Sequence, residues 1–470
     1  MYKRIITWFL VIVSGILSLN PALQAADRTV DLKTFSLIPA AEPVPALSYR
    51  LLPSHLDQKT GNAALMFYSA AALCPDGDAD NLSERIEKWR QSPLDQLNRK
   101  EAEEALSPFS NCFHQVKLAS QRNYCQWEMP IEDGYNMQMP SLATFRNIIR
   151  AMQLQIRLDI SDGKIDQALE MIRQGMYMGR CVAEGPTIVQ SLVGIAIEAT
   201  MLREVEEITQ MENCPNLYWA LTSLPDPLVD MHSSIQFERE VIFVEFPQLK
   251  DLENKVLTPE QAMGIVTDFI NKMRSLGGSE TDDVPINKLI SAGWVMAHYS
   301  DAKKYLADKG YTRERIDAMP AVQAVLIFQK QQYMEITDNM FKWLEIPYYQ
   351  SEPYLQKSEE QFSSFTNHGL KTNLFTILTP ALYRISFLQS RLDRNVAMLR
   401  TIEAIRMYAA DHPGQLPAAL ADIKSVPIPF DPVTGKDFIY QRADLQNARL
   451  EAPKAPAEDR NRPVYELNVK

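Results

Sequence analysis

Apolar residues recur at helical spacing over most of this chain. Within 141–160, Ile148, Met152, Ile156 and Ile160 fall four apart. Within 165–180, Ile165, Ala168, Leu169, Ile172 and Met176 share one stripe. Both patterns predict helices with a single buried face. The short turn Ser161-Asp162-Gly163-Lys164 between them predicts antiparallel neighbours. Asn62 precedes an alanine-rich run at 63–73, whose small residues suit close helix packing. Further helices are predicted at 81–90, from near Lys100 toward Trp127, and at 186–209, 229–246, 258–275, 284–307, 312–319 and 321–346. Pro186 and Pro259 stand at helix starts, where the missing N–H has no helical partner to lose, and Pro320 separates two helices.

The flanks of this pattern are different. Residues 26–60 read as an extended, proline-rich segment, in which 46–52 is either a short edge strand or a wrap over the first helices. Residues 347–380 read as an aromatic and polar connection. A long helix is predicted over 380–410, with Leu382, Ile385, Leu388, Leu392, Val396, Leu399, Ile402 and Ile405 among its apolar positions. His412-Pro413-Gly414 ends it, a short helix follows at 416–423, and segments near 438–440, 448–450 and 464–467 read as short antiparallel strands. The expected fold class is mostly α. A helical body over 61–380 is followed, over 381–470, by the long helix and a small antiparallel α+β appendix.

Residues 1–25 carry Lys3 and Arg4, an apolar run from Ile5 to Leu19, then Pro21 and Ala25. This is the layout of a secretory signal peptide and predicts export to the periplasm or cell envelope. After it, no run of about 18 apolar residues lacks a charge, so no further membrane span is expected. The chain has 48 Lys+Arg against 59 Asp+Glu, a net charge of −11. Loss of the leader removes only basic residues and leaves the remainder more acidic. That balance argues against nucleic acid as a partner.

The five cysteines, Cys74, Cys112, Cys125, Cys181 and Cys214, are too few for a disulfide-built fold. On one continuous helix Cys112 and Cys125 would lie roughly 20 Å apart, beyond the ~7 Å that a disulfide spans. Buried free thiols are therefore the expectation. The sequence contains no HExxH, paired CxxC, GxSxG, phosphate loop or dinucleotide fingerprint, and the six histidines are scattered. No catalytic residue, metal or cofactor is assigned. Two polar-aromatic groups form the candidate binding surface: Tyr124, Trp127 and Glu128, and Asn216, Tyr218, Trp219 and Asp226. Rings there can stack on a sugar or peptide while carboxylates accept hydrogen bonds. The structural alternative is aromatic packing at helix junctions.

Gly163, Ile165, Ala168, Leu169 and Ile172 resemble the second helix of a tetratricopeptide hairpin. The resemblance implies an irregular helical array or superhelix. The segments 404–420 and 429–441 resemble the soluble part of type II secretion pseudopilins, with a long helix, an Asp-Pro-x-x-Gly turn and a terminal strand. The leader lacks the Gly-Phe cleavage landmark and an early Glu, so this resemblance implies a shared local fold rather than pilus assembly. Segments 61–71, 124–130, 162–180, 185–197, 215–230 and 401–440 resemble an uncharacterised family of exported helical proteins of planctomycete-type bacteria. The expected function is that of an exported, non-enzymatic helical scaffold, binding an envelope protein or polymer. The alternatives are a helical hydrolase acting on a glycan or other envelope component, and a structural subunit of a cell-surface assembly.

Overall fold

The computed structural model describes residues 31–76, 81–276, 284–366, 373–378, 382–455 and 462–470. The leader predicted at 1–25 lies outside them. The fold is predominantly α-helical with a minor sheet component. The chain divides into two compact units. One takes in residues 139–234 and 386–470 together with the chain from Asp31 to Glu128, and holds all the described strands. The other comprises 129–138 and 235–385, and its described residues form helices and loops.

The sheet-containing unit begins with β1 (Asp31–Leu37) and β2 (Lys59–Asn62), followed by α1 (Ala63–Ala72), α2 (Leu82–Gln91), α3 (Arg99–Leu106) and α4 (Ser110–Ser120). Next come β3 (Arg122–Tyr124), α5 (Leu142–Ser161), α6 (Ile165–Ala183), α7 (Ile188–Ile208) and the short α8 (Tyr218–Thr222). Asn62 caps α1 by accepting the N–H of Ala64, and Thr187 caps α7 by accepting that of Gln190. The predicted turn after α5 forms. Gly163 takes φ +70°, a left-handed conformation that glycine adopts without a Cβ clash. The α5 stripe Ile148, Met152, Ile156 and Ile160 is buried, as are Ala168, Ile172 and Met176 of α6. Between α6 and α7 the backbones nearly touch. A Cβ on Gly194 would lie 2.7 Å from the carbonyl oxygen of Gly179 and 2.5 Å from Ala183 Cβ. Only small residues permit that approach.

A polar chain ties three of these helices together. Arg90 of α2 donates to Gln153 of α5, and Gln153 donates to the buried Glu204 of α7. One turn further along α5, Arg157 pairs with Glu207 and donates to the carbonyl of Ser92.

The all-helical unit contains α9 (His232–Glu245, from Ile235 onward), α10 (Pro259–Leu276), α11 (Val284–Asp308), α12 (Arg313–Ala318), α13 (Ala321–Phe341) and α14 (Tyr348–Thr366). Its core gathers Phe246, Phe269, Trp294, Phe328, Tyr333 and Phe375 with aliphatic residues of α10 and α13. Phe269 meets Phe375 edge to face. The region expected to be a connection, 347–380, thus holds a full helix, α14, which tolerates Pro353 inside it. Pro353 stands in the second turn and forgoes the helical hydrogen bond to the carbonyl of Tyr349.

Helix α15 (Leu382–Asp411) is the long helix the pattern predicted, and it leads into β4 (Ile439–Arg442), β5 (Asn447–Glu451) and β6 (Pro463–Val469). The resulting sheet differs from an antiparallel appendix. Its order is β1-β6-β5-β4, and β1 pairs parallel with β6, from Asp31 opposite Pro463 to Leu37 opposite Val469. Residues 46–52 form bends and turns rather than a strand. The inward residues Phe35, Leu37, Leu450, Tyr465 and Leu467 pack on Met398, Ile402 and Ile405 of α15. Period-two alternation alone does not say which strand lies beside which, because both β1 and the tail strands carry it.

Candidate functional site

The extended segment after β1 becomes the wall of a cleft. Residues Ile38 to Ala41, Pro43, Val44, Ser48 and Tyr49 face the loop Glu212–Asn216 across a space of about 670 Å³. Asn213 turns that loop with φ +66°, a conformation asparagine tolerates better than most side chains. A smaller hollow of about 140 Å³ shares Ser48 and Tyr49 and runs on to Arg50, Asp166, Leu169, Glu170 and Arg173. The far wall of that hollow is the first half of α6. In the larger cleft the lining residue Val44 is 96% exposed and leaves apolar surface in water.

Both walls of the larger cleft are held from behind by one arginine. Arg406 of α15 is fully buried and pairs with the equally buried Glu403 at 2.8 Å. Its Nε donates to the carbonyl of Ile38, Nη1 to that of Pro215 and Nη2 to that of Cys214. Glu403 in turn accepts the N–H of Leu217, and Asn216 Nδ2 donates to the carbonyls of Ala40 and Glu403. The two chain segments that form the cleft are therefore fixed to the same helix through backbone groups. Burial pushes the Glu403 carboxyl up, opposed by the adjacent Arg406. The guanidinium remains charged because Glu403 and the surrounding carbonyls favour that form against its desolvation.

The residues singled out by sequence occupy three settings. Trp127 is a core residue. Its Nε1 donates to the carbonyl of Cys181 at 2.7 Å, and its ring packs on Phe67, Tyr68 and Phe145. Tyr124 and Glu128, on either side of it, are exposed. Asn216 belongs to the cleft lining. Tyr218 is fully buried, donates to the carbonyl of Pro427 and meets Trp219 edge to face. Trp219 donates to Glu42, which lies on the extended wall segment. Among the described residues, no ring contact or hydrogen bond joins the Trp127 group to the Asn216 group.

Asp226 is exposed and lies near the half-buried Asp393 of α15. Asp393 accepts the N–H of Leu228 at 2.9 Å, and one turn earlier Gln389 donates to the carbonyl of Val229. Burial, together with the charge of Asp226, pushes the Asp393 carboxyl up to about 7 against that hydrogen bond. The cleft residues Tyr49, Glu212 and Asn213 and the acid Asp393 carry no sequence signal of their own. The proline-rich spacing of 39–45 was the one available hint, since it marks an extended backbone. The other carboxyls that burial pushes up most, those of Glu198 and Glu204, lie in the core of α7 and line neither cleft.

Comparison with protein-family models, with curated proteins and with solved structures yields no match.

Proposed function

We propose that this chain is an exported, non-enzymatic binding protein that holds an extended segment of an envelope protein or polymer in the 38–49/212–216 cleft. The observation that carries this reading is the construction of the cleft. Its two backbone walls are locked to α15 through Arg406 and Asn216, while Val44 in the lining leaves apolar surface in water. A preformed groove with apolar surface in its lining loses little conformational freedom when an extended chain enters it. The helices α5 to α7 are read as part of an irregular, tetratricopeptide-like array that carries the cleft, and residues 1–25 as the leader that exports it.

The test is mild crosslinking of the native exported protein, with partners identified by mass spectrometry, on the wild type and on Val44→Asp. The same partner should be recovered reproducibly from the wild type and lost from the variant. An unchanged set, or none from either, would sink the reading.

One observation favours the hydrolase alternative: Asp393, with its carboxyl raised to about 7, near the ionisable Asp226. A pair of neighbouring carboxyl groups is what glycoside hydrolysis requires. Release of reducing ends from envelope glycans by the wild type, abolished in Asp393→Asn, would decide for it. Equal inactivity of both proteins decides against it.

A further inference from the structure

We infer that Cys74–Cys112 and Cys125–Cys181 are two disulfide-forming pairs, and that Cys214 stays a thiol. All five cysteines are reduced in the structure, but four of them face one another in twos. Cys74 lies just past the end of α1 and Cys112 in the first turn of α4, two helices that pack together. The Cys74 and Cys112 side chains interact, and Cys74 packs against an apolar cluster that includes Leu82, Ile86 and Phe109.

The second pair is fixed by its flanks. Tyr177 of α6 donates to the carbonyl of Arg122, and Trp127 donates to the carbonyl of Cys181. The strand segment is thereby tied to successive turns of α6 on both sides of Cys125. Its side chain interacts with that of Cys181. A disulfide needs Cα atoms within about 7 Å, which neighbouring cysteines on packed segments can meet.

Each pair joins one half-buried cysteine, Cys74 or Cys125, to one buried cysteine, Cys112 or Cys181. That division suits stepwise exchange with a small disulfide such as oxidised glutathione. The half-buried thiolate attacks one sulfur of the oxidant, forms a mixed disulfide and releases the first glutathione thiolate. The buried thiol loses its proton and attacks the protein sulfur of that mixed disulfide. The new S–S bond forms within the chain and the second glutathione thiolate leaves. Two protein thiols are oxidised, one glutathione disulfide is reduced, and the two protons end on the glutathione thiols. The interaction with Cys112 lowers the pKa of Cys74, which favours Cys74 as the first attacker. Cys214 has no such neighbour. It donates to the carbonyl of Pro215 at 3.4 Å, and burial pushes its thiol up to about 12.

The experiment uses the folded full chain in glutathione buffers of graded redox poise. Free thiols are then alkylated under denaturing conditions and the peptides mapped without reduction. The expected result is loss of alkylation at Cys74, Cys112, Cys125 and Cys181, full alkylation at Cys214, and peptides linked 74–112 and 125–181. Cys125→Ser should free Cys181 and leave the 74–112 link intact. Oxidation should also raise Tm by several degrees, reversibly on reduction. Full alkylation of all five cysteines in oxidising buffer, or a 112–125 or 74–125 link, would overturn the inference.

Discussion

The two units bury polar groups in different ways. In the all-helical unit the buried polar side chains are mostly hydroxyls and amides that serve backbone groups. Gln323 donates to the carbonyls of Leu252 and Lys255, and Asn373 donates to that of Gln329. The Lys330–Glu253 pair of that unit keeps Glu253 at 20% exposure. The sheet-containing unit instead removes whole ion pairs from water. Arg394–Asp431 and Arg406–Glu403 are 1% exposed or less at every side chain. Helix glycines divide the same way. In α6 and α7, Gly175, Gly179 and Gly194 meet neighbouring atoms closely, whereas Gly264 of α10 and Gly293 of α11 have open space where a Cβ would stand. The contrast teaches where geometry is dictated by single residues. A buried charge tolerates one arrangement, because an unpaired partner is expensive, while an apolar core tolerates several.

Arg406→Met gives the sharpest break. It leaves Glu403 charged or forced to protonate in the core and frees the carbonyls of Ile38 and Cys214. We expect a loss of about 3–5 kcal/mol in urea unfolding. Hydrogen exchange should rise in β1 and α15 and stay unchanged in α10 and α13. The double variant Glu403→Leu/Arg406→Met should recover part of the loss. Equal loosening of α10 and α13 would erase the contrast between the units.

The second effect depends on pH. Burial pushes the Glu204 carboxyl up to about 8, above its ordinary value of 4.5. The folded chain then holds a proton that the unfolded chain releases, so stability falls as pH rises from about 4.5 to about 8. Below that window the contribution is complete. The expected slope is about 1 kcal/mol per pH unit, and Glu204→Gln should flatten it because the amide keeps an acceptor for Gln153. An unchanged slope in that variant would remove Glu204 as the cause.

Glycine substitutions then sharpen the comparison. Gly194→Ala forces a methyl group against Ala183 and the backbone of Gly179, and should cost about 1–3 kcal/mol in thermal or urea unfolding. Gly264→Ala meets nothing within 4 Å and should stabilise α10 by about 1 kcal/mol or less, through helix propensity alone. Opposite signs are the expected outcome.

Much of the helical layout is legible from spacing. The α5 stripe, the Gly163 turn, the Asn62 cap and the end of α15 near His412 all depend on residues within one or two turns of each other. The candidate site was less legible. Asn216 lies in the cleft, but Trp127 turned inward because its indole N–H found the carbonyl of Cys181 on a helix far along the chain. An aromatic residue beside a carboxylate reads the same from sequence whether the ring lines a groove or fills a core.

By itself, the sequence determined most of the segments that become helices, Tyr348–Thr366 excepted, and where most of them start and stop, because the forces that decide this act over a few residues. Pro39, Pro43 and Pro45 likewise determined that this stretch would not be helical, while the bends at 44–48 went unmarked. Only the tertiary structure decided that β1 pairs with β6, that Arg406 joins the carbonyls of Ile38 and Cys214, and that Cys125 meets Cys181. Each of these joins segments distant in sequence, and the energy of such a contact comes from excluding water at a meeting point that no local period encodes.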